Sequence, residues 1–175
     1  VIDRTHTNSL KYDFAVQRGK PKDVLPLWVA DMDFQVSSYI QEALSGSVAH
    51  GIFGYSEAED SYFEAVAGWM SRHYGWNVEE TWLVKTPGIV FALAQAVRAF
   101  TEPGDAVLLQ QPVYYPFSQV IRDNGRKIVD NTLVQGEDGR YRIDFTDFEE
   151  KIRSAHVKLF FLCNPHNPVG LVWTR

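Results

Sequence analysis

From Trp82 to its last loop, the chain alternates short apolar runs with segments of helical period, a rhythm that few folds accommodate. Residues 82–85 read as extended, 89–100 as helical, Glu102-Pro-Gly-Asp105 as a turn and 106–110 as extended again. A helix near 117–124, a strand over 127–134, a hairpin-like 136–139, a helix opened by Thr146 and a strand over 157–163 follow. Short apolar strands alternating with helices predict α/β units around a mainly parallel sheet. Residues 157–162 contain no turn former, as expected of a strand covered on both faces, and they feed the loop 164–170. No internal repeat or low-complexity linker interrupts the pattern.

Before this region the pattern differs. Residues 1–34 show little periodicity and are punctuated by Gly19, Pro21 and Pro26, which reads as an extended arm ending in the apolar run 25–29. From Ser37, the spacing of Ile40, Leu44 and Val48 predicts an amphipathic helix ending near Gly51. Residues 51–55 form a loop. Ser56 with Glu59 then suggests a capping box, opening a helix with Tyr62, Val66, Trp69, Met70 and His73 on one face and Gly75 as its stop.

Charge and cysteine content narrow the function classes. With 17 Lys plus Arg against 22 Asp plus Glu the formal charge is −5, and the basic residues are scattered, which disfavours a nucleic-acid partner. The single Cys163 allows no internal disulfide, and no Cys/His set has metal-ligand spacing, so a metal site is not expected and a reducing, cytoplasmic setting fits. No apolar run approaches the roughly 18 to 20 residues of a membrane span, and the start lacks a basic segment followed by an apolar one.

Three segments sit where an α/β sheet gathers ligands, beyond the carboxyl ends of strands. Thr86-Pro87-Gly88-Ile89-Val90 joins an extended run to a helix; its free amides and Gly88 suit an anion such as phosphate, although a plain tight turn has the same pattern. In Gln111-Pro-Val-Tyr-Tyr-Pro-Phe117, Tyr114 or Tyr115 offers a stacking platform for a flat heterocycle, or both plug the core. In Asn164-Pro-His-Asn-Pro-Val-Gly170, Asn167 offers an amide to a ligand oxygen, or caps its own backbone. Asp31 and Asp33 are read as serving the positive end of the helix near Ser37, His166 as a solvated loop residue and Cys163 as a small buried hydrophobe.

Taken in order, residues 27–34 (LWVADMDF), 51–55 (GIFGY), 86–93 (TPGIVFAL), 111–117 (QPVYYPF) and 166–170 (HNPVG) resemble the fold-type I pyridoxal phosphate enzymes of the class I and II aminotransferase family. Within it, the chain is most similar to the cystathionine β-lyase-like C–S lyase subgroup. The resemblance implies an α/β, PLP-dependent transferase-like fold, with an N-terminal arm plus the first part of the mainly parallel-sheet large domain. It implies that 1–50 are the arm and helix contributed to the small domain, and 51–175 the first part of the cofactor-binding domain, the remainder lying beyond.

Position by position, Gly88, Ile89 and Val90 match the family's phosphate cup, Tyr114 the aromatic stacked on the pyridine ring, and Asn167 the amide bonded to the phenolic oxygen. Tyr55 matches a tyrosine that reaches the phosphate of the neighbouring subunit, which implies a homodimer with shared active sites. Ala30, with Tyr114 and Asn167, falls on the substrate side. The resemblance implies pyridoxal 5'-phosphate as cofactor, an amino-acid substrate, and β-elimination from L-cystathionine or a related L-cysteine S-conjugate. The family's Schiff-base lysine, pyridine-pairing aspartate and late arginine have no match among residues 1–175, so no catalytic residue is assigned and this piece alone is expected to be inactive. An aminotransferase of the same fold, or a noncatalytic regulatory module that keeps it, is the alternative.

Overall fold

In the computed structural model, which describes residues 2–174, the chain divides into two compact units, Val1–Tyr62 and Phe63–Arg175. The division falls in the first turn of the second long helix, because residues 51–59 cluster with the first unit; the sequence reading places the line at 50/51. No helix among the described residues is long and apolar enough to cross a membrane.

The first unit is an arm tied by charge rather than by a ladder. The Asp13 carboxylate accepts the backbone N–H groups of His6, Thr7 and Ser9 at 2.9, 3.0 and 3.0 Å. The backbone hydrogen bond from His6 is the main reason that its carboxyl sits below the usual carboxylate range. Lys11 is buried, so its ammonium needs partners; it donates to Asp31 O at 3.1 Å and Asp33 Oδ2 at 3.2 Å. Arg4 pairs with Asp31 at 2.8 Å. The two aspartates therefore serve Lys11 and Arg4, and the expectation that they complement a helix dipole is corrected. The Tyr12 hydroxyl, followed by Lys11, holds the Asp33 carboxyl below its ordinary range.

Helix α1 (Ser38–His50) ends at Gly51, whose φ of 75° admits the left-handed turn, as the spacing predicts. Its apolar stripe of Ile40, Leu44 and Val48 is exposed. Helix α2 (Asp60–Tyr74) starts later than the Ser56 capping box implies: its first turn hangs on Glu59, whose carbonyl accepts Tyr62 N at 2.9 Å. Gly75, with φ 62°, returns its N–H to Ser71 O at 3.0 Å and closes the helix. The half-buried face is Phe63, Val66, Ala67 and Met70, a true i, i+3, i+4, i+7 set; Tyr62, Trp69 and His73 lie outside it. Trp69 and His73 instead pack ring on ring at 4.0 Å on the exposed side.

The second unit is built on a three-stranded parallel sheet of β1 (Ala106–Leu109), β2 (Lys127–Asp130) and β5 (Leu159–Phe160), in the order β2-β1-β5. As the middle strand, β1 has neighbours on both edges, and all four of its residues are buried. Val107 and Leu109 point to the face covered by α3 (Ile89–Phe100) and α4 (Tyr115–Asp123), where they join Val97, Val120, Ile121 and Phe161 in one apolar core. On the opposite face, Phe160 meets Phe148 of α5 (Phe145–Ser154) edge to face at 5.2 Å. A separate hairpin, β3 (Val134–Gln135) with β4 (Tyr141–Arg142), closes through Gly136 N to Arg140 O at 2.9 Å.

Several strand expectations are corrected. Of the expected strand 82–85, Trp82 ends a short 3-10 turn (Glu80–Trp82) and residues 83–85 pair with no strand among the described residues. The expected strand 127–134 stops at Asp130, because the next residue, Asn131, is a fully buried amide committed elsewhere. It accepts from Gln110 Nε2 at 2.9 Å and donates to Asp144 O at 3.0 Å and Asp147 Oδ2 at 2.8 Å. Strand β5 is shorter than 157–163 and only half-buried, since it is an edge of this sheet. The cap of α5 is Asp144, whose side chain accepts Asp147 N at 3.0 Å, rather than Thr146.

Truncating Leu109 to Ala leaves a void in the centre of the core and is expected to cost about 2–5 kcal/mol of second-unit stability. Leu44→Ala on the exposed face of α1 stays within about 0.5 kcal/mol; urea unfolding of the two variants distinguishes them. The lowered Asp13 and Asp33 carboxyls stabilise the arm above the ordinary carboxylate pKa of about 3.9, and that contribution disappears as pH falls through their lower folded values. Amide shifts of His6, Thr7 and Ser9, followed by NMR, are expected to hold down to about pH 4 and to move together only below it; movement at higher pH contradicts the assignment.

Candidate functional site

The chain leaves β1 through α4 to reach β2 on one side, while β5 pairs on the other side of β1. The carboxyl ends of β1 and β5 therefore flank a topological switch point, the place at which open α/β sheets bind their ligands. The loop after β1 carries Tyr114, and the loop after β5 carries Asn167. A third candidate segment, around Gly88, opens α3, which packs with α4 on one face of the same sheet.

Gly88 has φ 136°, a region that L side chains rarely adopt, so glycine is required here by the backbone itself. A Cβ at this position would meet nothing within 4 Å, which leaves the approach to the helix end open. The Thr86 hydroxyl lies 3.0 Å from Gly88 O, to which it donates, and this fixes the turn. The first α3 ladder bond runs from Ala92 N to Gly88 O at 3.2 Å, so the amides of Ile89, Val90 and Phe91 precede it, and no side chain caps them. Ile89 is 75% exposed and Val90 40%. Amides aimed outward at the positive end of a 12-residue apolar helix suit an anion.

Tyr114 is the N-cap residue of α4 and is 38% exposed; Tyr115, at 69%, lies further out. The Tyr114 ring packs against Tyr115 at 5.6 Å and edge to face on Phe117 at 6.1 Å. Phe117 in turn meets Phe161 of the core edge to face at 5.5 Å. One side of Tyr114 is thus anchored through Phe117 to the loop side of β5, and its exposed part is available to a planar partner.

Asn167 is exposed, and its backbone N–H donates to Cys163 Sγ at 3.4 Å. Its side-chain amide makes no hydrogen bond among the described residues, so it does not cap its own turn, whereas Asn164 Oδ1 accepts Trp173 N, nine residues on, at 3.0 Å. The expectation of a solvated His166 is corrected. It is 1% exposed, with Nε2 3.0 Å from Pro112 O and Nδ1 accepting the Trp173 indole N–H at 3.2 Å. Cys163 is half-buried and hydrogen-bonded through sulfur to Pro165 O at 3.5 Å, rather than packed as an apolar plug. The sequence signal for His166 is its place between two prolines in a rigid loop; its partner Trp173, several residues away, is invisible to spacing.

Ala30 and Tyr55 belong to the first unit. Ala30 is exposed and follows Val29, which has φ 61°; Tyr55 is fully exposed in the loop between α1 and α2. Among the described residues no group of three or more His, Cys, Asp or Glu could hold a metal ion.

Known proteins resemble this chain in sequence and in fold. The family model "Aminotransferase class I and II" matches residues 22–175. Cystathionine beta-lyase PatB of Bacillus subtilis is 47% identical over 173 residues, 99% of this chain and 44% of that protein. Cystalysin of Treponema denticola, whose crystal structure contains a pyridoxal 5'-phosphate cofactor, superposes with a TM-score of 0.88 at 36% identity, covering 99% of this chain and 44% of that one. The PLP-bound C–S lyase of Staphylococcus hominis gives a TM-score of 0.87 at 31% identity with the same coverage of 99% and 44%. The chain thus spans less than half the length of the relatives it matches. Switch-point geometry and these likenesses together place the chain in the class I and II aminotransferase family of fold-type I enzymes.

Proposed function

We propose that the protein containing this chain is a pyridoxal phosphate-dependent carbon–sulfur β-lyase, acting on L-cystathionine or a related L-cysteine S-conjugate. The observation that carries this reading is the 47% identity to a cystathionine beta-lyase along nearly the whole chain. The residues present fit the cofactor's three kinds of chemistry: an anion, an aromatic face and a phenolic oxygen. The amides of Ile89 and Val90, at an end that Gly88 keeps open, would hold the phosphate. The exposed part of the Tyr114 ring would cover the pyridine face, and the unspent Asn167 amide would donate to the phenolic oxygen.

When bound, pyridoxal phosphate supplies a sink for the electron pair left at the substrate α-carbon. The chain's part is orientation: the α3 amides, the Tyr114 ring and the Asn167 amide would hold the cofactor from three different segments. In the overall reaction the α C–H and β C–S bonds break, a thiol leaves, and pyruvate and ammonia are the other products after hydrolysis.

In the same reading the protein is a homodimer, and exposed Tyr55 of one copy extends to the phosphate of the other, with Ala30 on the substrate side. Residues 1–50 would belong to the small domain and 51–175 to the cofactor-binding domain. The family's own name supports an aminotransferase as the second reading.

Two outcomes are expected of the full-length protein. Given cystathionine, it releases pyruvate and free thiol much faster than it passes the amino group to a keto acid; the reverse order favours the aminotransferase. Gly88→Val, which forces a β-branched residue to φ 136°, weakens pyridoxal phosphate binding by at least about tenfold, read by titration of the visible absorbance.

A further inference from the structure

The two loops that flank the switch point are tied to each other by one buried side chain. His166 is 1% exposed and lies directly before Asn167. The Pro112 carbonyl can only accept, so the Nε2 beside it carries the ring proton, and Nδ1 is left as an acceptor for the Trp173 indole N–H, which is shared between Nδ1 at 3.2 Å and Cys163 O at 3.1 Å. That Nε2–H then donates to Pro112 O at 3.0 Å, two residues before Tyr114. The Trp173 ring stands edge on to the imidazole at 5.4 Å and 88°, which fixes its rotation as well as its tautomer. His166 N also donates to Leu171 O at 2.6 Å, and its carbonyl accepts Gly170 N at 2.8 Å, so the backbone on either side of Asn167 is clamped.

We propose that His166 is a positioning residue which, through its Nε2–H bond to Pro112 O, sets the alignment of Asn167 relative to Tyr114 and so the hydrogen bond of the Asn167 amide to the cofactor's phenolic oxygen. The inference rests on the cofactor reading of Asn167 and Tyr114 given above. Three observations separate this role from ordinary loop packing. The contact joins segments 54 residues apart in sequence. Both imidazole nitrogens are engaged, one as acceptor and one as donor, so neither tautomer nor ring orientation is free. The neighbouring Asn167 side chain, which is the group being aimed, has no internal bond of its own to orient it.

The claim is tested in the full-length holoprotein with two isosteres. Glutamine can place an amide nitrogen about where the imidazole Nε2 lies and so retain the donation to Pro112 O, whereas the asparagine amide reaches only about as far as Nδ1. A hydrogen bond to an ionised oxygen favours that ionised form, so loss of the aligned Asn167 amide raises the pH at which the bound cofactor's visible absorption changes. Incomplete folding lowers the amplitude of that titration and leaves its midpoint in place.

The expected order is that His166→Gln titrates with the wild-type protein, and His166→Asn moves up toward the value of Asn167→Ala. A shift of roughly one pH unit corresponds to a tenfold change in the ionisation equilibrium. If His166→Asn keeps the wild-type midpoint, or if the Gln and Asn variants titrate alike, the positioning role is overturned while the Asn167 contact stands. If Asn167→Ala itself keeps the wild-type midpoint, the cofactor reading of Asn167 fails, and the role of His166 falls with it.

Discussion

The second unit hangs on the position of β1 in the middle of its sheet. Four consecutive apolar residues, buried on both faces and bonded along both edges, leave that strand no alternative register without exposing its core side chains or orphaning its backbone. Its pairing with β2 on one edge and β5 on the other creates the switch point, and the switch point brings Tyr114 and Asn167 to neighbouring loops. The Gln110–Asn131–Asp147 chain of hydrogen bonds, buried at its first two members, follows from the same placement, since it carries the end of β1 across to the first turn of α5. Lys151 adds an ion pair to Asp147 at 2.8 Å and is the main reason that this carboxyl lies below its ordinary range.

The groups offered to a ligand are local consequences of that frame. Helix α3 buries Val97 in the core, and its amino end opens at an uncapped, glycine-started turn. Tyr114 is held at its edge by Phe117, which is itself seated on Phe161, so an aromatic platform is braced by the core without being consumed by it. In each case the group presented is one that the fold has no internal use for: unpaired amides, an exposed ring face and an unspent amide side chain. His166, by contrast, has both ring nitrogens committed inside the fold, as a residue proposed to aim such groups requires.

Much of this is legible in the sequence wherever a local period or a backbone requirement dictates structure. The span of α3, the glycine stops of α1 and α2 and the strand-end placement of the loops carrying Tyr114 and Asn167 need no knowledge of tertiary partners. What escapes are features set by partners distant in the chain. Residues 82–85 read as a strand, yet a ladder requires a neighbouring strand, and none is supplied among the described residues. Asn131 ends β2 early because of a bond to α5, and the apolar face of α2 is turned because burial, rather than the presence of aromatics, selects the face. His166 reads as an ordinary loop histidine because the indole that engages it lies beyond the loop, and the aspartates of the arm find Lys11 and Arg4 rather than a helix end.

In the proposed function, three loops of this unit each hold one part of pyridoxal phosphate. A crystal structure of the full-length protein with the cofactor bound decides whether they do. Phosphate oxygens are expected within about 3 Å of the Ile89 and Val90 amide nitrogens, with the Tyr114 ring over the pyridine and the Asn167 amide on the phenolic oxygen. Phosphate held away from the amino end of α3, with Tyr114 and Asn167 clear of the ring, would contradict it.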